Sequence, residues 1–479
     1  MSHALAPAFD LPRAACGRAA LSSLLLTALP VCAAGPQLAI EFIDSPGTAA
    51  HAINRRGDVV GAFAEWPCGD HTQCPPAYHT AVWPVGGARA VLPTIGNLPI
   101  LPSTIDDAGQ VAGTLSDFAT ASHAVVWDRI GGIYQLTDLG TLPGYTGAAA
   151  AGMDAQGRVV GHASGPAGFR PFVWTAAGGL LDLAAAGFPL ERPGSVSPGG
   201  WVVSDGHSYS LDDVTSVAPL PAPPPGFYPA YGFGLKINDR RELAGFLMTT
   251  TGQSLSYLHR YRPANGAWQL LSNSPNGHLS RWGIGSLATD ATVSATVTGV
   301  GVIADGPDGL AQALDTRLSP AYPGASVTIG GPANDRGAIA ALALIGRSQR
   351  LVRLQPITPC TGTCLQVSQL VMSGKFIEDP DAPGSCTPKA RNKVRAVLTV
   401  TDALGQPQAG VKVRGRFLDD YDLNQPAAGK TGPDGRLALR HEGPACVGAV
   451  AFFVDALKAP GAHFDRSTGQ LTDYVIPLP

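Results

Sequence analysis

The 479-residue sequence predicts an all-β protein, a β-propeller of about seven four-stranded blades followed by a β-sandwich. Three observations predict it. Gly 59 and Pro 42, with Asn and Asp, punctuate short apolar runs throughout, the composition of a turn-rich all-β chain. One motif occurs seven times at intervals of roughly 46 residues, the size of a propeller blade. Beyond residue 358 that motif stops and period-2 alternation takes over.

The chain opens with a targeting signature. Arg13 and Arg18 precede the apolar run 19–29, and small residues follow in "PVCAAG", so residues 1–34 read as a secretory signal peptide cut after Ala33 or Ala34. Cys32 leaves a lipoprotein as the alternative, although Val31 is a poor residue before a lipidated cysteine. No later apolar run reaches the ~20 residues that span a bilayer. A secreted or periplasmic, bacterial-type location follows, with an oxidising environment for the six cysteines beyond the cut. Cys68 and Cys74 flank a short loop, Cys360 and Cys364 lie together in "PCTGTC", and Cys386 and Cys446 are left for each other. Zinc is the rival for these thiols, but no C-x₂-C pair occurs and no histidine has ligand spacing.

Residues 35–358 carry the repeat. Its copies are "INRRGDVVG" from Ile53, "IDDAGQVAG" from Ile105, "MDAQGRVVG" from Met153, "VSPGGWVVS" from Val196, "INDRRELAG" from Ile237, "LATDATVSA" from Leu287 and "ANDRGAIAA" from Ala333. An apolar residue ends a strand, Asn, Asp or Ser opens a turn, and Gly takes positive φ before the returning strand. This is a type I turn with a glycine bulge. The Arg56-Gly57-Asp58 tripeptide occupies variable positions of that turn, so it reads as architecture rather than as an adhesion signal. Third strands follow in "HTAVW" from His79, "HAVVW" from His123, "RPFVW" from Arg170 and, more weakly, "SYLHRY" from Ser256. His79, His123, Trp83, Trp127 and Trp174 recur at equivalent places and read as scaffold. The segment "QLAIEFID" has no unit of its own and is expected to pair into the last blade. Repeats six and seven lack the turn or final glycine, so six or eight blades, or a parallel solenoid, stand as alternatives.

The series I-N-D-x-G-x-V-V-G, H-A-x-x-W and D-L-G-T-L-x-G, clearest in "TDLGTLPGYTGAAAAGMDAQGRVVG", resembles the HAF-repeat family of probable extracellular bacterial proteins. The resemblance covers about two thirds of the chain. It implies an exported repeat protein and carries no activity with it. Residues 359–479 alternate in "VRAVLTVTD", "GVKVRGRF", "GRLALR" and "GAVAFFVD", the pattern of an antiparallel sandwich. They resemble the immunoglobulin-like or fibronectin-like modules that end many secreted bacterial proteases, which implies a spacer or adhesive role.

Motifs for chemistry are sparse. Charged residues are only 14% and net charge is −3, which argues against a nucleic-acid partner. Gly429-Lys430-Thr431 lacks the first glycine of a phosphate loop and runs into a "PDG" turn. No G-x-S-x-G, H-E-x-x-H or sialidase box occurs. Calcium would find carboxylates at Asp419, Asp420 and Asp422 and at Asp379 and Asp381, but solvated turns explain both clusters. No cofactor, no metal site and no catalytic residue is therefore assigned. The candidate contact surface is the insertion "AEWPCGDHTQCPPAY" in the first repeat, which presents Trp66, Asp70 and His71 from a loop closed by Cys68 and Cys74. The Pro-rich "PLPAPPPGFYPAYGFG" is a second excursion. The expected function is non-enzymatic recognition, or a structural role, by a monomer with a glycan or protein partner. The alternative is a carbohydrate-active hydrolase or lyase in the propeller channel, which would need two convergent carboxylates there.

Overall fold

The computed structural model describes residues 36–44, 47–65, 77–96, 98–116, 122–229, 234–250, 255–272, 284–382, 390–419, 424–444 and 448–477. The expected signal peptide lies outside them, as do Trp66, Asp70, His71, Asp420, Asp422 and the cysteines at 68, 74, 386 and 446. The regular elements of the described chain are strands, apart from one 3-10 turn at Leu314–Arg317, and no described helix is long and apolar enough to cross a membrane.

Seven consecutive antiparallel sheets build the propeller. Blades 1 to 6 cover residues 47–91, 100–138, 147–182, 193–219, 227–270 and 284–313, and each runs from its first strand to its last in chain order. Blade 7 uses Ala325–Ala333, Ile339–Ile345 and Ser348–Pro356, and takes its fourth strand from the front of the chain, Leu38–Asp44. Leu38 pairs with Pro356 and Phe42 with Val352 in antiparallel register. The unassigned "QLAIEFID" thus closes the ring and removes an open sheet edge.

Every neighbouring pair of blades shares an apolar core, which makes the arrangement cyclic. Val60 and Val82 of blade 1 meet Val111 and Trp127 of blade 2. Ala112 and Val126 of blade 2 meet Val159 and Phe172 of blade 3, and Val160 and Val173 then meet Val202 and Tyr209 of blade 4. Blades 4 and 5 share Val203 with Leu243, and blades 5 and 6 share Leu258 with Val293. Ile303 of blade 6 joins Val327 and Ile339 of blade 7, while Ala340 and Leu351 of blade 7 close on Trp83 of blade 1. The repeated tryptophans are wedges of this kind. Trp127 is fully buried, Trp83 nearly so, and Trp174 is half-buried against the core between blades 2 and 3.

All seven repeat turns have one hydrogen-bond pattern. In the first, Asn54 N–H donates to Asp58 O and Gly57 N–H donates to Asn54 O; the last repeats it from Asn334 N–H to Ala338 O and from Gly337 N–H to Asn334 O. The fourth turn residue is left-handed in every copy, from Gly57 at φ 93° to Gly337 at φ 76°. Repeats five and six have no glycine there, and Arg241 (φ 59°) and Ala291 (φ 71°) adopt the conformation regardless. A missing turn glycine therefore costs local strain without removing the blade.

After Pro356 the first strand of the sandwich, Thr363–Ile377, begins. It lies in a sheet with Arg391–Asp402, Arg436–Pro444 and Ala462–Phe464; the facing sheet holds Lys412–Asp419, Asn424–Lys430, Val450–Lys458 and Thr472–Val475. Gly429 and Lys430 are strand residues, so "AAGKTG" forms no phosphate cradle. The sandwich and blade 7 share one continuous core. Phe453 stands 6.5 Å from Phe42 and stacks on Tyr322 at 5.9 Å, and Arg416 lies 4.0 Å over the Phe42 ring. Polar bonds seal the junction: Leu471 N–H donates to Ala321 O, Thr472 Oγ1 to Pro323 O, and the fully buried Arg350 to Asp419 O.

Candidate functional site at the mouth of the propeller channel

The first strand leads into the repeat turn in every blade but the fifth, where the short strand Lys236–Ile237 does so, and the turns of all seven blades line one cavity of about 310 Å³. Asn54 and Arg55 come from blade 1, Asp106 and Asp107 from blade 2, and Asp154 from blade 3. Pro198 and Asn238 come from blades 4 and 5, Thr289 from blade 6, and Asn334 and Asp335 from blade 7.

In six of the seven turns the side chain that opens the turn caps it; in blade 6 that residue is Ala288, and Asp290 Oδ1 accepts from Thr292 N–H at 2.9 Å instead. Asn54 Oδ1 accepts from Asp58 N–H at 2.8 Å, Asp106 Oδ1 from Gln110 N–H at 2.8 Å, and Asn334 Oδ1 from Ala338 N–H at 3.0 Å. Where this residue is Asn, its amide also donates to the same position of the next blade. Asn54 Nδ2 reaches Asp106 O (2.8 Å), Asn238 Nδ2 reaches Ala288 O (2.9 Å), and Asn334 Nδ2 reaches Asn54 O (2.7 Å) across the ring closure. An aspartate can cap but cannot donate.

The second turn position makes a parallel latch. Arg55 N–H donates to Asp107 Oδ1 (2.8 Å), Gly199 N–H to Asp239 Oδ1 (2.7 Å), and Thr289 N–H to Asp335 Oδ1 (2.8 Å). Ala155 N–H donates to Pro198 O (2.9 Å). Arg55 Nε lies 3.2 Å from Asp335 Oδ2 and ties blade 1 to blade 7. Among the described residues, every neighbouring pair of turns except that of blades 2 and 3 is bonded this way.

These bonds decide what the mouth can do. Asp107 and Asp335 are acceptors for backbone amides, and Asp154 accepts from Gln156 and Arg158 N–H and pairs with Arg158 Nε at 2.6 Å. Asp106 has its pKa raised, chiefly by burial, against the hydrogen bonds that its carboxylate receives. Among the described residues no group of three or more His, Cys, Asp or Glu could hold a metal. Asp379 is buried and accepts Asp381 N–H in a tight turn, and Asp419 belongs to a strand.

The RGD tripeptide is consumed by the same architecture. Asp58 is 6% exposed; it accepts from Asn54 Nδ2 and Val85 N–H, and pairs with Arg56 at 3.2 Å. His79 and His123 sit beside carboxylates of their own blades, His79 with Glu65 at 3.4 Å and His123 with Asp138 at 2.8 Å. Arg170 pairs likewise with Asp182 at 2.5 Å. The Pro-rich excursion bonds to blade 5 through Trp268 Nε1 and Pro221 O (3.4 Å). Of the expected disulfides, Cys360–Cys364 lies within the described residues and is formed.

Two channel-strand residues were not singled out in the sequence. The first strands of blades 1, 2, 3, 4 and 6 shift register at one equivalent residue, which is His51, Ser103, Ala151, Gly194 and Gly285 in turn, and blade 7 shifts there across Gly331 and Pro332. A bulge re-aims the residue it carries, and His51 is the one titratable side chain in that set. Burial depresses its pKa to about 4, so it is neutral at pH 7. Lys236, on the short strand Lys236–Ile237 that leads into the blade 5 turn, has its pKa lowered by the same desolvation. The signal for both was present: each is a lone ionisable residue where sibling repeats carry small or apolar ones.

No family model matches the chain and no curated protein is similar to it. Among solved structures it is similar to TolB from Acinetobacter baumannii, at 14% identity over 67% of this chain with a TM-score of 0.28. The chain spans less than two thirds of TolB, 65% of its length. The extracellular domain of the putative hybrid two-component system BT4673 from B. thetaiotaomicron matches 90% of this chain and 69% of its own, at 7% identity and a TM-score of 0.28. The AtxE2 isopeptidase matches 76% of this chain and 58% of its own, at 7% identity and a TM-score of 0.31. The propeller assignment rests on the hydrogen-bonded sheets and their cyclic cores.

Proposed function

We propose that the protein is an exported recognition module that binds a glycan or a protein partner at the turn-ringed mouth of its propeller. The observation that carries this reading is the engagement of the mouth carboxylates. Each described one caps a turn or latches a neighbouring blade, which leaves a rigid, hydrogen-bonding rim and no free acid–base pair. A rim contributed by every blade is a pre-organised surface, and pre-organisation favours binding by reducing what must be ordered. Export is supported by the Cys360–Cys364 disulfide, which suits an oxidising compartment. The order of sandwich strands, three long antiparallel neighbours facing a four-stranded partner sheet, supports the immunoglobulin-like reading of residues 359–479. The resemblance to HAF-repeat proteins fits the same picture.

One observation favours the hydrolase or lyase reading: Asp106, with its raised pKa, adjoins Asp107 in the mouth. A single assay separates the two. The protein is incubated with a panel of neutral and charged polysaccharides, and each supernatant is measured for reducing ends and for protein depleted onto the polymer. Depletion without new reducing ends is the expected result. Release that scales with protein concentration overturns the recognition reading.

A further inference from the structure

The sandwich carries a charge pattern that the propeller does not explain. Three neighbouring strands, Thr363–Ile377, Arg391–Asp402 and Arg436–Pro444, pair so that Lys375 lies beside Lys393 and Lys393 beside Glu442. In the next same-face row Ser373 lies beside Arg395 and Arg395 beside Arg440. Between these rows the side chains of Val394 and His441 turn inward, away from solvent. The two outward rows border a shallow groove of about 650 Å³.

Lys375, Arg395 and Arg440 are exposed and have no acidic partner among the described residues, while Lys393 and Glu442 pair at 3.2 Å with about half of each side chain exposed. Four cations and one carboxylate on so small an area depart from a chain whose net charge is −3. Neighbouring like charges at strand separation, about 4.8 Å, oppose the pairing of these strands. An unfavourable pattern that one carboxylate neutralises only in part is complementary to an anion supplied from outside.

We propose that this sheet face binds an acidic polysaccharide, a polymer carrying a carboxylate on each sugar; this is a second site that goes beyond the propeller reading. Lys375, Lys393, Arg395 and Arg440 form a zigzag across the three strands, so an extended chain lying across the sheet meets a cation at each strand. Ser373 and Glu442 offer hydrogen-bonding groups to sugar hydroxyls. The one aromatic ring at the groove, His441, turns inward onto Phe417 and offers bases no exposed face on which to stack, as single-stranded nucleic acid requires. A flat sheet face also cannot enter a duplex groove. The rows hold no large apolar side chain to insert below lipid headgroups.

The test uses the full chain with four probes: alginate, neutral dextran, a mixed-sequence single-stranded DNA oligomer, and phosphatidylglycerol vesicles. Alginate is expected to bind, more weakly as salt rises, and dextran is expected not to bind this face. Combining Lys375→Glu, Arg395→Glu and Arg440→Glu should weaken alginate binding at least about tenfold at low salt. Arg395→Gln alone should give part of that loss, which covers the case in which the triple variant folds poorly. The proposal is overturned if alginate does not bind, if the variants bind it as the parent does, or if DNA or vesicles bind better. Neutral glycan retained equally by parent and variants belongs to the propeller mouth, so the two readings fail separately.

Discussion

At the join between blades 7 and 1, the Asn334 side chain accepts two backbone amides with Oδ1 and donates through Nδ2 to Asn54 O. Asn334→Asp keeps the cap, removes the donor and sets a carboxylate against a carbonyl. It is expected to cost about 1–3 kcal/mol in urea unfolding, whereas the same change at an Asn outside the latch should be near neutral. His51 gives a pH signature. Its folded pKa, about 4, lies below the unfolded value near 6.5, so between those values the unfolded chain binds more protons. Stability is then fully present above about pH 6.5 and falls by up to ~3 kcal/mol as pH drops towards 4. His51→Gln should flatten that part of a stability-against-pH curve, and a parent curve without the fall would refute the assignment. The capping role of Asn and Asp was legible from the motif. The latch was not, because Asn and Asp look interchangeable until the neighbouring blade supplies a carbonyl that only an amide can reach.

Strands and turns were the most legible level. The recurring runs "HTAVW", "HAVVW" and "RPFVW" are third strands, and the turn pattern survives in copies without glycine, because the left-handed residue is held by two backbone bonds. The shared bulge escaped notice, since a register shift leaves no mark when its residues are Ser, Ala or Gly. Trp127 shows what the repeated third strand contributes. It is fully buried between blades 1 and 2, with its indole N–H donating to Pro93 O at 2.8 Å. Trp127→Ala should cost about 3–5 kcal/mol, read from the shift in the urea midpoint at unchanged slope. At Gly57, with φ 93°, an added Cβ would stand 3.3 Å from the Arg353 guanidinium that bonds Gly57 O. Gly57→Ala is expected to lose at least ~1 kcal/mol.

On the scale of the whole molecule, the ring and the pairing of "QLAIEFID" into the last blade followed from the count of repeats and an unassigned strand. The joint between propeller and sandwich did not, because Phe42, Tyr322 and Phe453 are far apart in sequence and each reads alone as an ordinary core residue. That joint makes a test possible. All of the tryptophans precede residue 358, so tryptophan fluorescence reports on the propeller, while Phe453 belongs to the sandwich. Phe453→Ala is expected to lower the fluorescence-detected melting temperature along with that of the whole chain. An unmoved fluorescence transition would show that the two parts unfold independently. The closing strand has a further consequence in time. Leu38–Asp44 precedes every other described strand, but its partner, Ser348–Pro356, is made only after every other blade. As the chain emerges, this leading strand therefore waits as a bare, apolar ribbon, and the clasp snaps shut only when the last blade arrives. Pairings so distant in sequence form slowly. A crowded cell would thus gain most by shielding this one strand rather than the whole length of the chain.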